Sequence, residues 1–248
     1  MTEAAMLAFL LVFVRASATL LVAPMFGAQN TPLPVRILTT LAIAGALTVA
    51  VQPKLGPLPH SVHGLMMAVL VEAGAGLLLG GMVALAMQAF AIAGSLADLQ
   101  TGLSMSQVMN PIAGISTTVL SQLKTMLALV VFLCADAHHL LIEAFVRSYD
   151  TVPTLAQAKE ALIPLIGGTF VLGIQVAAPV IAVGFLVDAS LGLVGRAVPT
   201  LQPAQVGAPA KLVGGLLAVS VGLPFLVGAV STAVRLGIHA AGVAFGHV

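Results

Sequence analysis

Charged residues are scarce in this sequence. Only nine lysines and arginines and eight aspartates and glutamates occur among 248 residues, so that 7% of the chain is charged and 60% is hydrophobic. Soluble globular proteins carry about 25% charged residues and need them to cover their surface. The composition therefore excludes a cytosolic enzyme, a nucleic-acid-binding protein and a disordered protein. It predicts a helical membrane-class protein or a subunit of a hydrophobic assembly.

Interface aromatics and cysteines are also nearly absent. The chain has no tryptophan, one tyrosine, Tyr149, and one cysteine, Cys134. Membrane-spanning proteins usually carry belts of Trp and Tyr at both interfaces. Their absence indicates that much of the apolar surface faces other protein. A single cysteine excludes an internal disulfide framework and a multi-cysteine metal site.

Long apolar runs dominate what remains. They are too long for strands and lack the alternation of a membrane barrel, so they predict an all-α protein of about six kinked segments, arranged as helical hairpins in one domain over residues 1–248. Prolines inside the runs predict kinks or breaks at Pro164, Pro179 and Pro224. The segments are residues 4–22, 35–51, 62–99, 119–149, 161–198 and 210–244. Basic residues divide evenly between the two sides, so charge does not set the orientation.

Three charges lie well inside these segments: Arg15, Glu72 and Asp188. A charge at the centre of a bilayer costs about 2.5–3.5 kcal/mol on insertion scales. We therefore expect these side chains to face a protein interior, a water-filled path or a partner. For Arg15, snorkelling from an interfacial segment is the alternative.

Glycines follow two of these charges at steps of four residues, and in the second case an arginine continues the same spacing. Gly76 and Gly80 follow Glu72, and Gly192 and Arg196 follow Asp188. Such spacing lets helix backbones approach closely where lipid gives no hydrophobic driving force. The ladders predict close helix packing, either within the chain or against partner subunits.

A polar stripe runs along the fourth segment. Asp136, His139, Glu143 and Arg147 follow at steps of three and four, which places them on one helical face. The stripe fits a water-facing helix end with local ion pairs. A proton relay through Asp136 and His139 is an alternative, and a metal site at His139 and Glu143 lacks a third ligand that the sequence identifies. No nucleophile, zinc-protease or nucleotide motif occurs, so we expect no catalytic, cofactor or metal site.

An uncharged stretch separates the third and fourth segments. It alternates small polar groups with flexible apolar ones, of which Met105 and Met109 are the softest. It is either a surface connector or a loop that folds back to close a cavity. Its residues are Gly102, Leu103, Ser104, Met105, Ser106, Gln107, Val108, Met109, Asn110 and Pro111.

In this order the residues resemble the FliR/SctT family of type III export-gate subunits. The resemblance rests on Arg15 and the proline-rich stretch 24–36, on Glu72, Gly76 and Gly80, on the stretch 102–111, and on residues 179–199 with Asp188, Gly192 and Arg196. No single motif is specific, but the ordered set covers nearly the whole chain. Asn110 stands where family members often carry Asp, which puts a salt bridge there in doubt but not the turn.

The resemblance implies a non-enzymatic subunit of the flagellar export gate, in the bacterial inner membrane at the basal body. It implies assembly with several copies of FliP and FliQ, with FlhB at the entrance and FlhA nearby, into a pore for unfolded flagellar subunits. The stretch 102–111 would be the pore plug, and no cofactor or nucleic acid is implied. Two alternatives stay open: the equivalent gate of a virulence system, and a proton-coupled secondary transporter that uses Asp136, His139 and Glu72.

Overall fold

A computed structural model describes residues 3–24, 32–55, 58–59, 61–104, 119–197 and 203–246. Within these ranges the chain forms helices and no strand, which confirms the all-α prediction. The helices are α1 (Glu3–Val22), α2 (Leu33–Val51), α3 (Val62–Thr101), α4 (Val119–Cys134), α5 (Ala137–Arg147), α6 (Leu155–Ala197) and α7 (Pro203–Ala244). A 3-10 turn, Gln52–Lys54, extends α2.

The fourth predicted segment is two helices rather than one. The chain bends by 72° between α4 and α5, and Asp136 adopts a left-handed conformation at φ 53°. A right-handed helix cannot pass through such a residue, and Asp is one of the few residues that adopts it readily. The prediction of one helix over residues 119–149 was therefore wrong, because neither glycine nor proline marks the bend.

Two helices begin earlier than the sequence predicted. α6 begins at Leu155 rather than near residue 161, and α7 begins at Pro203 rather than near residue 210. Proline suits the first position of a helix because no intrahelical partner is lost there. Both helices continue through Pro164, Pro179 and Pro224, so these prolines do not break them, and a kink at each stays a prediction.

Within the described residues, five helices are long and apolar enough to cross a membrane, or six if the bent pair α4 and α5 counts as one span. The longest, α3, α6 and α7, have 40, 43 and 42 residues. At 1.5 Å per residue each is about 60 Å long, twice the thickness of the hydrocarbon core. The prediction of unusually long apolar helices is confirmed.

The chain divides into two compact units. Unit 1 comprises Met1–Ala86, Leu133–Gly167 and Val234–Val248, and it buries side chains such as Val12, Leu79 and Phe245. Unit 2 comprises Met87–Phe132 and Gly168–Ala233. One of its clusters contains the buried residues Ala97, Leu120, Val180 and Ala218. The single domain over residues 1–248 stays a prediction.

Candidate functional site

A buried polar network in unit 1 is formed by Arg15, Glu72, Ser148 and Tyr149 and is here called the Arg15 network. Arg15 Nε lies 2.5 Å from Glu72 Oε2, and both side chains are buried. Arg15 Nη1 donates hydrogen bonds to the Ser148 carbonyl oxygen at 2.8 Å and to Ser148 Oγ at 2.9 Å. The guanidinium also lies 3.7 Å from the centre of the Tyr149 ring. One arginine thus joins α1, α3 and the chain that follows α5.

Burial governs the chemistry of this network. Desolvation raises the pKa of the Tyr149 hydroxyl, while the positive charge of Arg15 acts in the opposite direction. The phenol therefore stays neutral at physiological pH, and its ring faces the cation. Because the Arg15 guanidinium is paired with Glu72, the two charges neutralise each other. The arrangement holds α1 and α3 together through a direct contact between their charged side chains.

The predicted ladder on α3 packs against α1 within unit 1. A Cβ atom placed on Gly76 would collide with the carbonyl oxygen of Arg15 and with the Ala18 side chain. A Cβ atom on Gly80 would collide with the carbonyl oxygen of Thr19. Only hydrogen at these positions allows the two backbones to approach so closely. The structure therefore gives Gly76 and Gly80 a packing partner inside the chain.

The second predicted set lines an open groove between the end of α6 and the start of α7, all within unit 2. Asp188 Oδ1 lies 2.6 Å from Lys211 Nζ, and the Asp188 side chain is half exposed. Arg196 is exposed, and no atom of the chain lies within 4 Å of a Cβ placed on Gly192, among the described residues. The groove has a volume of about 660 Å³ and is lined by Asp188, Leu191, Gly192, Gly195, Arg196, Gly207, Ala208 and Lys211. The structure thus brings Asp188, Gly192 and Arg196 together on an accessible surface.

Only the first three residues of the predicted plug lie in the described part of the chain. Gly102 has a φ of +80°, a left-handed conformation in which glycine ends α3 without strain. Leu103 packs against the cluster of Ala97 and Leu120. The Ser104 amide donates to the Asp98 carbonyl oxygen at 3.4 Å. Met105, Ser106, Gln107, Val108, Met109, Asn110 and Pro111 lie outside the described residues.

Asp98 is a polar residue that the sequence analysis missed. Its fully buried carboxylate accepts hydrogen bonds from the backbone amides of Leu120 at 3.1 Å and Ser121 at 3.0 Å. These amides open α4, so Asp98 on α3 caps a helix whose start lies more than twenty positions later. With the Ser104 contact, one residue holds both flanks of residues 105–118. An acid four residues before a helix-ending glycine was the signal available in the sequence.

Lys124 is the second missed residue. It is buried in unit 2, and its Nζ donates to the carbonyl oxygen of Val176 at 3.3 Å. Val176 lies within α6, three residues before Pro179. The lysine thus links α4 to α6 through a backbone acceptor.

The stripe on the fourth segment is only partly as predicted. Glu143 and Arg147 form an exposed ion pair at 2.6 Å on α5, but Asp136 precedes that helix and does not share its face. Glu143 does not belong to a group of three metal-binding side chains among the described residues. Instead, ligand atoms of Asp136, His138 and His139 lie within 4.8 Å of one another.

Comparison with known proteins gives one consistent result. The model of the family described as bacterial export proteins, family 1, matches residues 6–236. The flagellar biosynthetic protein FliR of Caulobacter vibrioides is 35% identical over 211 residues, which cover 83% of this chain and 84% of that protein. FliR of Bacillus subtilis is 35% identical over 215 residues, with 83% and 82% covered. The surface presentation of antigens protein SpaR of Shigella flexneri is 27% identical over 139 residues, covering 55% and 54%.

Proposed function

The chain belongs to the family of bacterial export proteins, family 1, and from this premise we propose that it is a subunit of a type III protein-export gate. The observation that carries the proposal is the match over almost the full length, joined by two relatives at 35% identity that are named for flagellar biosynthesis. Long apolar helices support a location in a membrane. Because the sequence has no nucleotide-binding motif, the energy for export comes from other components.

The flagellar gate is favoured over the virulence gate. The relatives at 35% identity carry flagellar names and align over more than four fifths of the chain, whereas the SpaR alignment covers about half of it at 27% identity. The substrates we propose are therefore unfolded flagellar subunits, and the site is the basal body in the bacterial inner membrane. No catalytic step is assigned to the chain.

Assembly with other helical subunits is the role that its surface supports. We propose FliP and FliQ in several copies as the direct partners, with FlhB at the entrance and FlhA nearby. Large apolar side chains are exposed along α6 and α7, including Phe185, Leu193 and Phe225, the last at 81%. In the isolated chain these side chains need lipid or protein to cover them. The groove at Asp188, Gly192 and Arg196 offers a polar position for a partner.

Within this proposal the stretch from Gly102 to Pro111 is the plug of the pore. Its uncharged and flexible side chains suit a seal that must yield to an unfolded chain. Removal of residues 104–115 should leave assembly intact and raise the ion conductance of the purified complex. An unchanged conductance would refute the plug and leave the gate assignment standing.

The alternative of a secondary transporter has less support. It requires Glu72 as part of a proton path, yet Glu72 is buried in an ion pair with Arg15. A transporter would act by itself in liposomes, whereas a gate subunit needs its partners. Transport by the purified chain alone would therefore favour the alternative, with Asp136 and His139 as the residues to mutate.

Native mass spectrometry is the decisive test of the gate assignment. The tagged chain is extracted gently from its own cells, and the mass of the released complex is measured. We expect one copy of this chain with several copies of small helical partners. A stable monomer, or a homodimer without partners, would contradict the proposal.

A further inference from the structure

The bend between α4 and α5 gathers three side chains that commonly bind metal ions. Asp136 Oδ1 lies 3.6 Å from His139 Nδ1 and 4.0 Å from His138 Nε2. The two imidazole rings are 4.2 Å apart between centroids and inclined by 35°. All three ligand atoms lie within 4.8 Å of one another.

The backbone explains why these groups converge. Neighbouring residues on a helix point about 100° apart, so His138 and His139 alone would not meet at one point. Asp136, in its left-handed conformation at φ 53°, turns the chain back over the first turn of α5. There the His139 amide donates to the Asp136 carbonyl oxygen at 3.0 Å. Asp136 is the only residue other than glycine with a positive φ in the described chain.

The donor set and spacing fit a divalent transition metal. Zinc binds imidazole nitrogen at about 2.0–2.1 Å and carboxylate oxygen at about 2.0–2.2 Å, so tetrahedral donors lie about 3.3–3.5 Å apart. The observed separations are 3.6 and 4.0 Å from Asp136 to the two imidazoles and at most 4.8 Å among all three ligand atoms, so side-chain rotations must bring the donors together around the ion. Two imidazoles and a carboxylate suit zinc better than magnesium or calcium, which prefer oxygen. A fourth position stays open for water.

The surroundings allow an ion to reach and occupy this position. The side chains of Asp136 and His139 are 73% and 69% exposed, and His138 is one-third exposed. The nearest acid along α5, Glu143, is paired with Arg147. The positive end of the α5 dipole opposes a bound cation, and the Asp136 carboxylate offsets it. The site is thus open to water and holds one negative charge for the ion.

We propose that Asp136, His138 and His139 bind a divalent transition-metal ion of the zinc class, and that the bound ion braces the α4–α5 bend. The ion would connect the left-handed residue to the first turn of the following helix. It would thereby fix the bend that the sequence does not mark with glycine or proline. The proposal does not depend on the export function.

Metal titration of the full chain tests the binding. The chain is purified in detergent with a tag that contains no histidine, treated with a chelator, and titrated with zinc chloride by calorimetry. We expect one ion per chain, with binding at least about tenfold weaker after His139→Gln or Asp136→Asn. His63→Gln removes an exposed imidazole outside the group and should leave the affinity unchanged.

Thermal unfolding tests the brace. Zinc should raise the unfolding temperature of the wild-type chain and of His63→Gln, and should leave His139→Gln unaffected. Because the His139 side chain is exposed, this variant should fold normally, which far-ultraviolet circular dichroism checks. Absence of saturable binding, or equal binding by His139→Gln, would overturn the site. Binding without a rise in unfolding temperature would overturn the brace.

Discussion

The two units keep buried charges in opposite ways. In unit 1 the charges meet each other, because Arg15 and Glu72 form a direct ion pair at 2.5 Å. In unit 2 each charge meets the backbone: Asp98 accepts from two amides at the start of α4, and Lys124 donates to a carbonyl oxygen of α6. Both arrangements occur in a chain in which only 7% of the residues are charged.

This difference predicts how much stability the protein loses when one of these buried charges is removed. A buried ion pair loses its balance when one member is removed, because the remaining charge stays desolvated. A charge that binds backbone groups leaves behind neutral amides or carbonyls, whose exposure to an apolar interior costs less. We therefore expect substitutions in unit 1 to have larger effects than equivalent substitutions in unit 2.

The largest effect is expected for Glu72→Ala. It leaves Arg15 buried without its counter-charge, which should lower the free energy of unfolding by about 3–5 kcal/mol. Unfolding of the purified chain in mixed detergent micelles measures the change. Arg15→Leu with Glu72→Leu removes both charges and should recover much of the loss. If the double substitution costs as much as the sum of the single ones, the pair is not coupled and the comparison fails.

The next effect is expected for Gly80→Ala. Its new methyl group would collide with the carbonyl oxygen of Thr19 and separate α1 from α3, at a cost of about 1–3 kcal/mol. Gly81→Ala is the matched control, because no atom of the described part of the chain lies within 4 Å of a Cβ placed there. By helix propensity alone this control should stabilise the chain by about 0.5–1 kcal/mol. Equal effects of the two substitutions would show that α1 and α3 are not in close contact at Gly80.

A smaller loss is expected in unit 2 for Asp98→Ala. Two buried amides of α4 lose their acceptor, and a helix cap is worth about 0.5–2 kcal/mol. Asp98→Asn retains one acceptor oxygen and should cost less than alanine. Amide hydrogen exchange at Leu120 and Ser121 locates the effect, since both amides should exchange faster in the alanine variant. Unchanged exchange there would contradict the cap.

The sequence singled out the buried charges of unit 1 but not their pairing, and it missed those of unit 2. Arg15 and Glu72 stand out because each lies deep in a long apolar run, where an uncompensated charge is energetically costly. Asp98 lies one position before the predicted end of segment 62–99, where a charge is expected in water. Local capping rules compare residues three or four apart, so they could not connect Asp98 with amides beyond the stretch 105–118.

The sequence analysis did not predict the bend at Asp136, and the reason is a different one. Helix ends are recognised by glycine, proline or a capping residue, and the segment 119–149 has neither glycine nor proline. The left-handed conformation of a single aspartate ends α4, and nothing in the hydrophobic pattern changes there. The helical class and the number of apolar segments follow from composition and run length, whereas the break rests on the conformation of one residue, Asp136.

The smallest effect is expected for Lys124→Met. Methionine has a similar length and stays apolar, so the substitution removes a desolvated charge together with one long hydrogen bond to the Val176 carbonyl oxygen at 3.3 Å. That carbonyl oxygen has a second lone pair for the helix, so the loss should stay below about 1 kcal/mol, and a small gain would also agree. The same unfolding assay compares it with Arg15→Leu, which orphans Glu72. A loss for Lys124→Met as large as that for Arg15→Leu would mean that Lys124 depends on the charge of nearby Asp98 as strongly as Glu72 depends on Arg15, and the contrast between the two units would disappear.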